Sequence, residues 1–197
     1  MNRIAALSAL IALLVLAPTP SASVSPIQPL KAVTTGRIFC TTFSINPTKG
    51  YWMTAMHCIQ NDAGKPEMPY IGESGEETKL IAGFPDVDIA ILGSTLTAPG
   101  LVLAPNAPGK GEIVSVTGFG YGFNPPTTFW GKVSNTINIY DRKYLIFDMA
   151  VWPGHSGSPV QDAIGQVISV TQISADGIGG GSTWEDLERR TAKYWGK

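Results

Sequence analysis

The segment GHSGSPV, Gly154 to Val160, places a serine between two glycines and ends in a proline and an apolar residue. Glycines on both sides of Ser156 permit backbone angles that other residues avoid, so successive N–H groups can point at one place. A flexible loop would not need the proline and the apolar residue that follow. The segment therefore predicts a tight turn with Ser156 as a nucleophile, and the N–H groups of Gly154 and Ser156 as an oxyanion hole.

The order of the partner residues along the chain discriminates between folds. A serine nucleophile needs a base, usually histidine, and a carboxylate that holds the base in the required tautomer. The chain has two histidines, His57 and His155. No histidine follows Ser156, which excludes the order of α/β-hydrolases, and no Asp or Glu precedes His57, which excludes the order of subtilisins. The order His, acid, Ser remains.

His57 and Asp88 are the predicted base and acid. His57 ends the apolar stretch MTAMHC, and Asp88 opens the apolar run DIAIL, where it can be buried against an imidazole. Asp86 lies two residues earlier and shares a face with Asp88 if the segment is extended, so it is an alternative acid. His155 is not favoured as a base, because neighbouring side chains on a sharp turn diverge.

The first 23 residues have the pattern of a secretory signal. An apolar run, residues 4–17, follows Arg3 and leads to small residues that predict cleavage after Ala22 or Ser23. The run is shorter than the about 18 residues that span a bilayer, so a membrane anchor is not favoured. In an exported chain the two cysteines, Cys40 and Cys58, predict one disulfide. We expect a secreted protein, extracellular or periplasmic, without membrane contact in its mature form.

Charge and ligand chemistry exclude several classes of partner. The chain has 14 basic and 15 acidic side chains, so the loss of Arg3 leaves 13 against 15 and a net charge of −2. This near-neutral balance does not predict nucleic acid or anionic lipid as a partner. Two histidines far apart in the chain and a pair of oxidised cysteines are a poor zinc set. We therefore expect no metal and no cofactor.

Short apolar or alternating runs between turn residues predict an all-β fold. A Pro/Gly-rich stretch, residues 98–111, divides the strands into an N-terminal lobe, 24–109, with His57 and Asp88, and a C-terminal lobe, 110–197, with Ser156. The segment STWEDLERRTAKYW predicts one C-terminal helix that begins with a capping box of Ser182 and Glu185. The predicted strands are 37–43, 51–55, 78–83, 89–92, 113–118, 131–137, 144–149 and 165–171.

The motifs TAMHC, DIAIL and GHSGSPV, in this order, resemble those of the chymotrypsin-like (trypsin-fold) serine peptidases. The SGSP ending is most similar to the small bacterial glutamyl-endopeptidase-like branch. The resemblance, which covers about residues 36–171, implies two antiparallel Greek-key β-barrels with the active site in the cleft between them. It also implies His57 as general base, Asp88 as its orienting partner, Ser156 as nucleophile, and a disulfide between Cys40 and Cys58 beside the histidine.

The resemblance also bears on activation and on substrate preference. Animal members have an aspartate directly before the nucleophile, where this chain has His155, so activation through an ion pair with a new N-terminus is not expected. The position that carries the acid of trypsin-like pockets corresponds to Ala150, which argues against a preference for Arg or Lys. The pocket histidine of the glutamyl branch is also missing. Ser169, Val170 and Thr171 are predicted to form a weakly polar pocket wall that suits uncharged side chains.

These observations predict a serine endopeptidase that acts on polypeptides through an acyl-enzyme, as a monomer. The alternative is a catalytically inactive peptidase-like protein that only binds its partner. No member of the predicted triad is missing from the sequence, so nothing in it supports the loss of activity.

Overall fold

The computed structural model describes residues 23–60, 65–175 and 177–196. The predicted signal peptide, except for Ser23, lies outside these residues. In chain order the strands are β1 Ile27–Lys31, β2 Ile38–Asn46, β3 Tyr51–Ala55, β4 Tyr70–Ile71, β5 Lys79–Phe84, β6 Ile89–Gly93, β7 Ile113–Gly118, β8 Thr127–Ile139, β9 Arg142–Phe147, β10 Pro159–Gln161, β11 Val167–Ala175 and β12 Ile178–Ser182. One helix, α1, spans Trp184–Thr191.

The strands form two antiparallel lobes with the same topology. In the first lobe the sheet order is β4-β1-β2-β3-β6-β5, and in the second a closed barrel has the order β10-β11-β12-β9-β8-β7. If the six strands of each lobe are numbered from one to six, both follow the cyclic order 4-1-2-3-6-5. The predicted all-β fold of two lobes is therefore confirmed. Within the described residues, the first sheet is not closed by a β4–β5 pairing.

Some strands were not predicted, because their residues do not show the composition typical of strands. Four strands, β1, β4, β10 and β12, have no counterpart in the sequence-based set. The segment of β12 is rich in glycine and is disfavoured as a strand by propensity. Glycine is required there by contact, because a Cβ at Gly179 would lie 2.2 Å from the ring of Phe147 on the neighbouring strand.

The two lobes share a hydrophobic core. Phe43, Met53 and Ile91 of the first lobe belong to the same buried cluster as Val170 and Leu187 of the second. Each lobe has a further cluster of its own. The lobes are thus packed against each other through apolar contacts as well as through hydrogen bonds.

Helix α1 begins one residue later than the capping box predicts. The N-cap is Thr183, whose hydroxyl accepts from the N–H of Asp186 at 3.2 Å, so the predicted pair of Ser182 and Glu185 is wrong by one position. Ser182 instead ends β12, and its hydroxyl accepts from the N–H of Val170 at 3.1 Å. Leu187 of the helix is buried in the same cluster as Val167 and Val170 of β11, so the helix packs against the second lobe.

Candidate active site

His57 lies just beyond the end of β3, in a 3₁₀ helix over Met56–Ile59. Its backbone N–H donates to Oδ1 of Asp88 at 2.9 Å, and its ring atom Nδ1 lies 2.8 Å from Oδ2 of the same carboxylate. A proton on Nδ1 is bound by this contact, which leaves Nε2 as the basic nitrogen. The side chain of His57 is 43% exposed, so part of the imidazole is open to solvent.

The ladder between β3 and β6 explains this contact. Ala55, the last residue of β3, pairs with Ile89, the first of β6, so the residues just beyond these ends meet. Asp88 has a φ of 52°, a left-handed conformation that Asp tolerates better than most residues, and only 12% of its side chain is exposed. Its carbonyl oxygen accepts from Nε2 of Gln172 at 3.0 Å. The carboxylate is therefore held in place through its own backbone.

Asp86, the alternative acid, does not reach His57. Residues 85–88 form a turn instead of an extended segment, so Asp86 and Asp88 do not share a face. The carboxylate of Asp86 forms an ion pair with Arg190 of helix α1, and about half of its side chain is exposed. Of the two candidate acids, only Asp88 lies against the imidazole.

Ser156 belongs to the C-terminal lobe, but its backbone is hydrogen-bonded to the N-terminal lobe. Its carbonyl oxygen accepts from the N–H of Thr41 in β2 at 2.9 Å and lies 3.7 Å from Sγ of Cys58, the residue that follows His57. The next residue, Gly157, has a φ of 81°, and a Cβ there would lie 2.3 Å from the carbonyl oxygen of Thr41. Among the described hydrogen bonds, none joins the hydroxyl of Ser156 to the ring of His57. The backbone of Ser156 thus lies against Cys58, the neighbour of His57 in the chain.

The peptides of this turn are oriented by their carbonyl groups. The carbonyl oxygen of Pro153 accepts from the N–H of Tyr121 at 2.6 Å, and that of His155 accepts from the N–H of Ser158 at 2.8 Å. A trans peptide directs its N–H away from its C=O, so the N–H groups of the next residues, Gly154 and Ser156, point away from these partners. Neither N–H has an acceptor among the described residues. Two free donors, on residues 154 and 156 of one turn, suit an oxyanion.

The sequence comparison decides the family. Residues 40–170, more than half of the chain, match the family described as the trypsin-like peptidase domain. The chain belongs to the trypsin-like peptidase family. It is accordingly a serine-type endopeptidase, a hydrolase of peptide bonds, and the resemblance that the three motifs predict is confirmed at this level. The closer likeness to the glutamyl-endopeptidase branch stays a prediction.

Solved structures of proteases have the same fold as this trypsin-like peptidase. The active form of the Rv3671c protease from Mycobacterium tuberculosis is 25% identical, with 87% of this chain and 80% of that chain covered and a TM-score of 0.70. The serine endoprotease from Yersinia pestis is 22% identical, with 85% and 61% covered and a TM-score of 0.69. The HtrA-type protease AlgW is 21% identical, with 87% and 60% covered and a TM-score of 0.70. A search of curated protein sequences found no significant match.

Two of the predicted pocket residues are in the interior of the peptidase. Ser169 and Val170 are fully buried: the hydroxyl of Ser169 donates to the carbonyl oxygen of Ser182 at 2.7 Å, and Val170 belongs to the shared core. The pocket wall of residues 169–171 stays a prediction. Ala150 is half-buried, and Thr171 is 2% exposed with a hydroxyl that has no hydrogen-bond partner among the described residues.

Two residues that hold the site were missed by the sequence analysis. The hydroxyl of Thr41 donates to the carbonyl oxygen of Gly154 at 2.8 Å and accepts from the N–H of Phe119 at 3.0 Å, so it connects β2 to the serine turn. Gln172 of β11 donates from Nε2 to the carbonyl oxygens of Val87 and Asp88. Both contacts join a side chain of one lobe to the backbone of the other, and such contacts have no signature in a local sequence pattern.

The predicted disulfide between Cys40 and Cys58 is confirmed. It ties the end of the His57 turn to β2, and a closed loop of this length stabilises a fold by about 3 kcal/mol in the loop-entropy description.

Among the described residues, His57 and these two cysteines are the one group dense enough in ligand atoms to hold a metal ion. Both sulfurs are in the disulfide, so the group offers only an imidazole.

No helix in the described part of the chain is long and apolar enough to cross a membrane.

Proposed function

We propose that this trypsin-like peptidase is a secreted enzyme that cleaves polypeptides through an acyl-enzyme formed on Ser156. His57 is the general base, Asp88 orients it, and the N–H groups of Gly154 and Ser156 bind the oxyanion. The observation that carries the proposal is the two-point contact of Asp88 with the backbone and ring of His57, at the junction where the serine turn docks.

The chemistry follows from these positions. Nε2 of His57 takes the proton of the Ser156 hydroxyl as Oγ attacks the substrate carbonyl, and the carbonyl oxygen becomes an oxyanion between the two free N–H groups. Collapse of this intermediate breaks the C–N bond, and the imidazolium returns its proton to the leaving amine. Water then attacks the ester by the same route and regenerates the hydroxyl. No cofactor takes part in this scheme.

A fluorophosphonate probe tests the proposal on the intact protein. It is expected to form one covalent adduct, which peptide mass spectrometry locates on Ser156. Ser156→Ala abolishes the adduct. Ser158→Ala is the matched control, because this serine belongs to the same turn but is fully buried and its hydroxyl has no partner among the described residues. Absence of an adduct on the folded wild-type protein would favour the inactive binding protein instead.

A peptide library tests the preference for uncharged residues before the cut. Ala150 and the buried hydroxyl of Thr171 offer no charge to a substrate side chain, so an Arg, Lys or Glu side chain would be desolvated there without a partner. Cleavage after small or apolar residues is expected to exceed cleavage after these charged residues at least about tenfold, the effect of about 1.4 kcal/mol. Dominant cleavage after Arg, Lys or Glu contradicts this part of the proposal.

Export and monomeric state are further parts of the proposal. The signal-like pattern of residues 1–23 and the disulfide support a location outside the cytosol, where disulfides persist. N-terminal sequencing of protein from the culture medium tests the cleavage site, and sedimentation tests the monomer. A chain recovered from the medium with its first 23 residues intact, or a sedimenting dimer, contradicts these parts.

A further inference from the structure

His155 precedes the nucleophile, and its ring is fully buried behind the serine turn. The ring lies against the backbone of β7 and of the following turn: a Cβ at Gly118 would be 3.0 Å from Cδ2, and a Cβ at Gly120 would be 2.4 Å from Cε1. The ring of Phe129 packs edge-on at a centroid distance of 5.4 Å. These contacts pack the imidazole on several sides, and none of these contacting groups is charged.

Both ring nitrogens have a polar partner. Nδ1 lies 3.1 Å from the backbone nitrogen of Trp152, whose N–H points at it, and Nε2 lies 3.2 Å from the hydroxyl of Thr127. The carbonyl oxygen of Trp152 lies 3.3 Å from Nδ1 and accepts from the N–H of His155 at 2.9 Å, so it has a partner in either tautomer, whereas the N–H of Trp152 has one only if Nδ1 is unprotonated. The neutral tautomer with its proton on Nε2 gives every group a partner, because Nδ1 then accepts from Trp152 and Nε2 donates to Thr127.

We infer that neutral His155 is a positioning residue that holds the oxyanion-binding turn in place through the acceptor Nδ1. Its hydrogen bond fixes the first peptide of the segment from Trp152 to Ser156, whose later peptides carry the two free N–H donors. A proton on Nδ1 would face the N–H of Trp152 and remove this bond. The inference rests on the proposed function, since it assigns His155 a part in the same reaction.

The burial of His155 affects the pH range over which its ring stays neutral in the folded protein. It lowers the pKa of His155 from its ordinary value of 6.5, and the nearby backbone of Trp152 and Thr127 acts in the opposite direction but more weakly. The unfolded chain then binds the proton more readily than the folded one. His155 therefore contributes stability that is fully present above about pH 6.5 and is lost as the pH falls below that value.

Three variants separate an acceptor from a space filler. His155→Leu fills the space without an acceptor and is expected to lower kcat about a hundredfold with little change in KM, the effect of a lost oxyanion donor. His155→Asn is smaller, but its amide oxygen takes the place of Nδ1, so it is expected to retain most of the wild-type kcat. His155→Gln, whose amide lies one bond further out, is expected to rank between them. A Leu variant as active as the Asn variant overturns the inference.

The pH dependence gives a second readout. The kcat of the wild-type enzyme is expected to fall more steeply on the acid side than that of His155→Asn, because only the wild type has an imidazole at this position that can bind a proton. In denaturant titrations without substrate, the wild-type free energy of unfolding is expected to fall more steeply below pH 6.5 than that of His155→Asn. Equal dependence in both proteins overturns the inference. If the stability difference is found while the fluorophosphonate adduct is absent, the proposed function fails and the structural part of the inference stands.

Discussion

His57→Ala, Ser156→Ala and the double variant are expected to lower kcat by nearly the same factor, about 10⁶-fold each. The reason is that base and nucleophile act as one unit: without the imidazole the hydroxyl keeps its proton, and without the hydroxyl the imidazole has nothing to activate. The second substitution therefore costs almost nothing once the first is made. Initial rates on a fluorogenic peptide, divided by the concentration of folded protein, give the three kcat values.

Independent contributions would give a different result. If the two residues acted separately, the double variant would lose the product of the two single factors, and if either residue were only structural, its variant would retain most of the activity. Circular dichroism on the same samples checks that each variant is folded. His57 is partly exposed and Ser156 makes its described hydrogen bonds through its backbone, so both truncations are compatible with the native fold.

Asp88→Asn is expected to lower kcat about 10⁴-fold while the protein stays folded. The amide can still accept from the N–H of His57, but its NH₂ group would face Nδ1 and favour the tautomer with the proton on Nε2, which cannot act as a base toward the hydroxyl. Steady-state kinetics at several pH values measures the loss.

Asp86→Asn is the matched control for this substitution. Asp86 lies two residues away and binds Arg190 at the surface, so its loss removes an exposed ion pair of at most about 1 kcal/mol and leaves the rate near that of the wild type. Equal rates for the two variants would contradict the role assigned to Asp88. A larger loss in Asp86→Asn would point to the other carboxylate.

The sequence allowed the prediction of the parts of the site that local patterns carry. The elimination of other residue orders depends only on which histidines and acids are present, and the contact between His57 and Asp88 follows from motifs at the ends of two strands. The pairing of Cys40 with Cys58 needed no geometry, since the chain has no other cysteine. The signals that name these residues are therefore short and do not depend on the docking of the lobes.

The deep burial of residues 169–171 could not be predicted from the sequence, because it depends on how β11 packs between its neighbours. Side chains alternate along a strand, but the first six residues of β11 are buried on both faces, so alternation does not mark a lining side. The pairing with β12 shifts between Thr171 and Ile173, which a sequence pattern does not show. Thr41 and Gln172 were missed for a related reason: their partners are backbone atoms far away in the chain.

The serine turn docks on β2, so the shape of the backbone around the nucleophile depends on both halves of the chain. Thr41 binds the backbone of Gly154 and Ser156, and Gly157 has no room for a side chain against it. A fragment that lacked the first six strands would keep the serine and lose the scaffold that bends the chain around it. If evolution exchanged one half of the chain for that of a relative, the serine turn would keep its shape only where the contacts of Thr41 and Gly157 were exchanged as well.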